Sequence, residues 1–270
     1  MTMAQGKKFI SPGAWFSMIY PADWNEFEDG EGSFLFYNPS EWTGNFRISA
    51  YKGSATYGKE AVCQELKENP SATSVKIGNL ECAYSREMFE EDGAYYTSHL
   101  WIAGTGDIAF ECSFTVNKGA SITEAEAVIA SLEVRKEGVK YPAEIIPVRL
   151  SEIYQINEAF EWVTTTVKEQ LKKDFQGAEE DLVSMQQIID SGVIAPKKKE
   201  AWLSFGIVLC VILANEVDGL EWMTLIDGNR EAPVLQNSTT GEWLDPMKLV
   251  WSKVKAGESC NLTETYKTLF

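Results

Sequence analysis

The hydrophobic rhythm of this sequence changes near residues 136–142, and that change limits what the chain can fold into. Before it, short apolar runs alternate with polar residues and turns, as at 46–51 (FRISAY). After it, apolar side chains recur every three or four residues from 149 to 173. A period of two is typical of strands with one buried face, and a period of 3.6 is typical of amphipathic helices. We therefore predict two domains of different character, 1–140 and 147–270, of the α+β class.

The first domain is predicted to be an antiparallel sheet flanked by helices. Turn residues at 90–93 (EEDG) and 104–106 (GTG) are typical of hairpins between neighbouring strands. Residues 57–68 carry apolar side chains at helical spacing, and Asn69-Pro70 favours an end to that helix. The pattern predicts strands near 15–20, 34–37, 46–51, 80–88, 94–103 and 106–116, and helices at 57–68 and about 121–131.

The second domain is predicted to be rich in helices, with one small β-hairpin. Pro233 has no backbone N–H to donate, so the second strand of the hairpin is expected at a sheet edge. The apolar run at 201–214 is shorter than the roughly 20 residues that span a bilayer, so we predict a buried helix there and no membrane segment. The pattern predicts helices at 149–173, 178–190, 200–215 and 246–254, and strands at 220–226 and 232–235.

Short motifs in both halves carry a resemblance to known families. Residues 20–24 (YPADW) follow the first strand, and 124–132 (EAEAVIASL) form the last helix of the first half. This order resembles the PsbP/Mog-type fold, whose members include a photosystem subunit and a Ran-binding factor. Because those activities differ, the resemblance implies a fold alone. The second half, with 219–222 (GLEW) and 227–230 (DGNR), resembles an uncharacterised bacterial domain family. The whole chain resembles a two-domain bacterial protein of unknown function.

Charge and reactive residues exclude several functional classes. The net charge of -16 and the isoelectric point near 4.6 disfavour nucleic acid and anionic membranes as partners, because both need a basic face. His99 is the single histidine, and the five cysteines have no C-x-x-C spacing. We therefore predict no catalytic set, metal site or cofactor. The polar N-terminus without an apolar signal core and the odd number of cysteines favour the cytoplasm.

The remaining candidates are exposed aromatic and acidic loops. Trp42 and Trp243 lie in polar loops, whereas Trp15, Trp101 and Trp162 lie in apolar segments that predict core positions. The favoured hypothesis is a non-enzymatic protein that binds a basic protein partner. An exposed loop tryptophan is a typical hot spot of such contacts. The predicted binding residues are Trp42 and the acidic turn Glu90, Glu91 and Asp92.

The alternative is an enzyme that uses carboxylate or cysteine chemistry in a crevice between the two domains. Cys63 is the thiol to test, since Lys59 and Lys67 lie one helical turn away on either side. A reactive cysteine needs such exposure and a cationic neighbour that stabilises its thiolate.

Overall fold

A computed structural model describes residues 6–28, 32–136 and 138–269. They form two units, Met1–Lys140 and Tyr141–Phe270, and each has its own sheets and its own hydrophobic core. All strand pairs in both units are antiparallel within the described ranges. Helices and strands are present in similar amounts, which confirms the predicted α+β class.

The N-terminal unit contains ten strands and two α-helices among its described residues. The strands are β1 (Lys7–Ile10), β2 (Phe16–Tyr20), β3 (Asn25–Glu28), β4 (Ser33–Tyr37), β5 (Asn45–Lys52), β6 (Thr73–Ile77), β7 (Leu80–Glu91), β8 (Ala94–Thr105), β9 (Ile108–Asn117) and β10 (Glu133–Val134). The helices are α1 (Tyr57–Glu68) and α2 (Thr123–Ala130). The predicted sheet strands and both helices are confirmed to within a few residues.

Seven strands form the main sheet in the order β3-β4-β5-β9-β8-β7-β6, and β1-β2-β10 form a smaller sheet. On β5, Phe46 and Ile48 are buried and Arg47 is exposed, as the alternation predicts. The buried face of the main sheet packs against the small sheet and α2 in one cluster that is unusually rich in aromatic side chains. Within it, Trp24 of the YPADW motif lies 5.8 Å from the ring of Phe114.

Helix α1 covers only one end of the opposite face of the main sheet. A Cβ atom on Gly58 would lie 2.4 Å from the carbonyl oxygen of Ile108, and one on Gly104 would lie 2.2 Å from the Gly58 oxygen. Two glycines therefore let the α1 backbone approach β8 and β9 closely. Helix α2 packs against β2 and β6, so no helix described in this unit covers the far end of the face, where Phe89 and Tyr96 lie.

The C-terminal unit places helices around a four-stranded sheet in the order β11-β12-β13-β14. The strands are β11 (Glu144–Pro147), β12 (Leu220–Asp227), β13 (Arg230–Asn237) and β14 (Trp243–Leu244). The helices are α3 (Leu150–Leu171), α4 (Leu182–Asp190), α5 (Lys199–Glu216), α6 (Pro246–Leu249), α7 (Trp251–Ala256) and α8 (Leu262–Lys267).

Helix α5 forms the centre of the C-terminal core. Half of its residues are buried, and its neighbours include α3, α6, α7 and both hairpin strands, so the prediction of a buried helix is confirmed. No helix in the described ranges is both long enough and apolar enough to cross a membrane.

Three details of the predictions are wrong. Strand β13 is not an edge strand, since β14 pairs with it at Leu235 and Gln236. The pairing with β14 does not reach Pro233, which explains how the sheet accommodates this residue. The predicted helix at 246–254 is two helices, because Val250 has φ of -123° and ψ of -64°. Trp15 and Trp162 are exposed rather than buried.

Candidate functional site

Trp42 lies in a loop whose conformation is fixed by local hydrogen bonds. The Asn38 side chain accepts from the backbone N–H of Ser40 at 2.9 Å and donates to Asp23 at 2.8 Å. The Trp42 indole N–H donates to Asn45 Oδ1 at 2.9 Å. These contacts hold the ring in place while 40% of the residue stays exposed, so Trp42 loses little conformational freedom when it meets a partner.

The β7–β8 hairpin brings the predicted acidic residues to the same region. Asp92 and Gly93 both have positive φ, 51° and 78°, which is the pattern of a two-residue type I′ turn. Glu90 and Glu91 pair with Tyr95 and Ala94. They are therefore the last residues of β7 rather than part of the turn, which corrects the prediction for these two positions.

An aromatic row joins Trp42 to the hairpin. The Trp42 ring meets Tyr96 edge to face, with centroids 5.8 Å apart, and Tyr96 stacks on Phe89 at 5.6 Å. Glu91 follows Phe89 by two residues and lies on the same face of β7, Asp92 lies in the turn, and Glu90 points to the opposite face. The sequence predicted Trp42 and the acidic turn as separate candidates, and the structure joins them through two residues that the sequence analysis missed. We call this set the aromatic–acidic surface: Trp42, Phe89, Tyr96, Glu90, Glu91 and Asp92.

The acids of this surface are exposed and available. Within the described residues, the carboxylates of Glu90, Glu91 and Asp92 accept no hydrogen bond and form no ion pair. A cavity of about 400 Å³ opens beside Trp42, and Glu124 lines it. Partial burial, and then the negative charge of Asp23, raise the pKa of the Glu124 carboxyl. The surface therefore presents apolar rings beside exposed carboxylates that form no ion pair, while the Lys118 ammonium lies 5.5 Å from the ring of the neighbouring Tyr95.

His99 is held as a structural residue. Its Nδ1 lies 2.8 Å from the hydroxyl of Tyr84, and its ring lies beside the rings of Tyr84 and Trp101, each 5.9 Å away, on one face of the sheet. Burial, and then the charge of Arg86, lower the His99 pKa. Ser98 lies on the opposite face of β8 because neighbouring strand residues alternate, so His99 does not act as its base.

The cysteines offer little for thiol chemistry. Burial raises the pKa of Cys82 to about 11, and it raises the pKa values of Cys112, Cys210 and Cys260. Because the thiolate is the nucleophile, these four thiols are poorly reactive near neutral pH. Cys63 is the exposed one, on α1. No group of three or more metal-binding side chains lies close together in the part of the chain that the structure describes.

A buried ionic network in the C-terminal unit was not predicted. Arg149 is 1% exposed and donates from Nε and Nη2 to the two carboxylate oxygens of Glu152, at 2.8 and 2.7 Å. A second bond from Nη2 reaches Glu231 at 2.7 Å, and Thr224 donates to Glu152 at 2.9 Å. Arg149 and Glu152 are three residues apart at the start of α3, a spacing that predicts contact. The apolar residues of α3 at helical spacing gave no indication that these two charged residues are buried.

A second ion pair lies beside a cavity in the same unit. Arg230 donates to both carboxylate oxygens of Asp245, at 2.8 and 2.6 Å, and Asp245 also caps α6 by accepting from the N–H of Met247 at 3.0 Å. The cap follows the sequence expectation for Asp-Pro before a helix. Both residues line a cavity of about 450 Å³.

These features define a two-unit antiparallel α+β protein with a surface site on one unit and a cavity in the other. The chain belongs to the family described as Domain of unknown function (DUF3805), whose model matches residues 4–157. A second model, Domain of unknown function (DUF3806), matches residues 181–266. No curated protein matches the chain.

Similar solved structures include a crystal structure from Bacteroides thetaiotaomicron. It is 72% identical, covers 98% of each chain and has a TM-score of 0.95. The cyanobacterial PsbP of Synechocystis is 14% identical over 50% of this chain and 96% of its own, with a TM-score of 0.22. LpqN of Mycobacterium tuberculosis, described as involved in cell envelope biogenesis, is 12% identical over 50% of this chain and 88% of its own, with a TM-score of 0.31. The fold class rests on the strands and helices of this protein itself rather than on the last two matches.

Proposed function

We propose that this protein is a non-enzymatic, cytoplasmic binding protein whose N-terminal unit binds a basic protein partner through the aromatic–acidic surface. The observation that carries the proposal is the continuous row from Trp42 through Tyr96 to Phe89, which ends at the hairpin tip. Three unpaired carboxylates lie at that tip, with Glu91 on the face of the row, Asp92 in the turn and Glu90 on the opposite face. Interfaces commonly place aromatic anchors at the centre and charged groups at the rim. The five free cysteines support a reducing compartment.

The chemistry of the surface favours a cationic partner. Its charged groups are acids, and the protein as a whole carries a net charge of -16. An electrostatic field of one sign speeds encounter with a partner of the opposite sign and repels others. The aromatic faces add contact area for apolar groups and for the flat guanidinium of arginine. Lysine-rich and arginine-rich segments satisfy both requirements.

The test compares the proteins that three forms of the full chain retain from the lysate of its host. The surface variant carries Trp42→Ala, Glu90→Gln, Glu91→Gln and Asp92→Asn. The control carries Trp243→Ala, Glu68→Gln, Asp218→Asn and Glu258→Gln, which removes an equally exposed tryptophan and three exposed acids elsewhere. Circular dichroism and melting temperature verify that all three forms are folded.

We expect a basic protein that the wild type and the control retain and the surface variant loses. Its retention should fall as salt rises from about 50 mM to about 500 mM, since screening weakens exposed charge pairs. Retention of identical proteins by all three forms would refute the proposed surface. A partner lost equally from the surface variant and the control would show that net charge alone drives binding.

A further inference from the structure

The cavity of about 450 Å³ in the C-terminal unit has the composition of a small-molecule site. It lies between the start of α5, strand β13 and the residues around Asp245. Its apolar lining comes from Leu203 and Ile207 of α5 together with Pro233, Pro246 and Met247. Ligand sites typically combine such apolar walls with a few fixed polar groups, at volumes of about 300–1,000 Å³.

The two carboxylates at this cavity are already paired with arginines, and the amide side chains of Gln155 and Asn229 also line it. Both oxygens of Asp245 accept from Arg230, and one of them also accepts from the Met247 N–H. A Glu231 oxygen accepts from the buried Arg149 at 2.7 Å. A cationic ligand would therefore have to compete with arginines that are already held in place.

The donors at the cavity are open. A guanidinium has five N–H groups, and Arg230 directs two hydrogen bonds to Asp245. Its other N–H groups have no partner among the described residues. The Lys199 ammonium likewise forms no ion pair or side-chain hydrogen bond there. Asp245 is buried and fixes the plane of the Arg230 guanidinium, so this donor is pre-oriented before any ligand arrives.

The position of the cavity on α5 adds to its preference for negative charge. Lys199 is the first residue of this 18-residue helix, and Leu203 lies one turn further on. The N-terminal end of a helix carries partial positive charge, although the Lys199 backbone N–H itself donates to the Lys197 carbonyl at 3.0 Å. Two cationic side chains, one of them at the start of a helix, thus line a cavity that also has an apolar wall.

We propose that this cavity binds a small organic anion with an apolar body, of the monocarboxylate class. The carboxylate lies between Arg230 and Lys199, and the hydrocarbon part packs against Leu203, Ile207 and Pro246. This inference is independent of the aromatic–acidic surface, because all of its residues belong to the C-terminal unit.

The test measures binding of octanoate to the full-length protein by calorimetry, beside octan-1-ol and acetate. Octan-1-ol keeps the hydrocarbon chain without the charge, and acetate keeps the charge without the chain. We expect octanoate to bind at least about tenfold more tightly than either, which corresponds to about 1.4 kcal/mol. Equal affinity for octanoate and octan-1-ol, or no octanoate binding at about 10 mM, would overturn the proposal.

Two variants locate the binding. Lys199→Gln should weaken octanoate binding about fivefold or more, while Lys198→Gln, the same change at the neighbouring exposed lysine outside the cavity, should leave it within about twofold. Ala232→Leu adds side-chain volume at the cavity wall and should abolish binding in a variant that remains folded by circular dichroism. Octanoate binding that responds equally to Lys199→Gln and Lys198→Gln, or that persists in Ala232→Leu, would overturn the assignment of this cavity.

Discussion

The two units differ in where they place charged side chains. The N-terminal unit has a core dominated by aromatic and aliphatic side chains, and its charged candidates lie on the surface. The C-terminal unit buries Arg149 and Glu152 almost completely, beside a helical core. A sheet places polar side chains on the outer face by simple alternation. In the C-terminal unit, the start of α3 instead buries the charged side chains of Arg149 and Glu152. Each neutralises the charge of the other through their ion pair.

The largest expected effect comes from breaking the buried ionic network. Arg149→Met leaves the Glu152 carboxylate buried without its charge partner, because Thr224 supplies only a neutral hydrogen bond. Removing one member of a buried pair costs about 3–5 kcal/mol. We expect a loss of that size in the free energy of unfolding, measured by urea denaturation, with early loss of amide protection in α3 and β12.

A double variant separates lost charge pairing from lost packing. Arg149→Met with Glu152→Leu removes both buried charges and should recover most of the lost stability, since apolar replacement of a buried pair is often neutral. Glu231 is partly exposed and can turn to water. A double variant no more stable than Arg149→Met would show that the packing around the network, rather than charge pairing, stabilises this unit.

The second effect tests the close approach of a helix to neighbouring backbone at a glycine, which occurs in both units. A Cβ on Gly58 would lie 2.4 Å from the Ile108 oxygen, and one on Gly206 of α5 would lie 2.1 Å from the Pro246 oxygen. Both neighbours are backbone atoms, so the helices must shift. Overpacking of this kind costs about 1–3 kcal/mol, although Gly→Ala within a helix otherwise stabilises by about 0.5–1 kcal/mol.

Whether the two variants are less stable or more stable than the wild type therefore decides this test. We expect Gly58→Ala and Gly206→Ala each to lower the urea midpoint. A higher midpoint for either variant would contradict the close helix contact in that unit. Different results for the two variants would show that one unit adapts its packing and the other does not.

The third effect concerns His99 and pH. Burial lowers its pKa in the folded state, so the unfolded chain binds the proton more tightly. The contribution of neutral His99 to stability is therefore fully present above its unfolded-state pKa of about 6.5. It is lost as the pH falls below that value. His99→Phe keeps an aromatic ring beside Tyr84 and Trp101 and should remove this pH dependence, at a cost of about 1 kcal/mol at pH 7 from the lost hydrogen bond.

Tyr84→Phe provides the matched control for His99→Phe. It removes the same 2.8 Å hydrogen bond and leaves the titrating ring in place. Its unfolding midpoint, measured between pH 5 and pH 7.5, should keep the fall that the wild type shows. A fall that persists in His99→Phe would assign it to other groups.

The sequence predicted the elements better than the contacts between them. Helix α1 at Tyr57–Glu68 agrees with the prediction at both ends, because apolar spacing and Asn69-Pro70 are local features. Short strands such as β3 and β6 were missed, since they carry weak alternation and depend on pairing with β4 and β7. The resemblance to the PsbP/Mog-type fold implied an antiparallel sheet with helices, and the structure has one.

For the candidate site, too, single residues were predicted from the sequence, whereas the contacts between them were not. Trp42 was predicted from its polar loop, but its junction with Tyr96 and Phe89 depends on strand register across the hairpin, which one sequence does not display. Glu152 was missed because the apolar residues around it at helical spacing predicted an ordinary stripe. Its burial depends on Arg149 and Thr224, and Thr224 is distant in sequence. The predicted binding role of Trp42, Glu90, Glu91 and Asp92 stays a prediction until the capture experiment is done.

The smallest expected effect concerns the Glu124 carboxyl and its repulsion by the negative charge of Asp23. Partial burial and the charge of Asp23 raise the Glu124 pKa, so the folded state holds the proton more tightly than the unfolded chain does. The ionised form therefore disfavours folding at neutral pH, and that penalty disappears as pH falls below the folded pKa. Glu124→Gln should raise the free energy of unfolding at pH 7 by less than about 0.5 kcal/mol, because solvent screens this exposed carboxyl. It should leave the free energy of unfolding, measured by urea denaturation, unchanged at low pH. Asn38→Ala in the Glu124→Gln background removes the hydrogen bond that holds Asp23. If the gain from Glu124→Gln is as large there as in the wild type, burial alone accounts for the raised pKa. If it shrinks, the hydrogen-bonded position of Asp23 contributes to the raised pKa of Glu124.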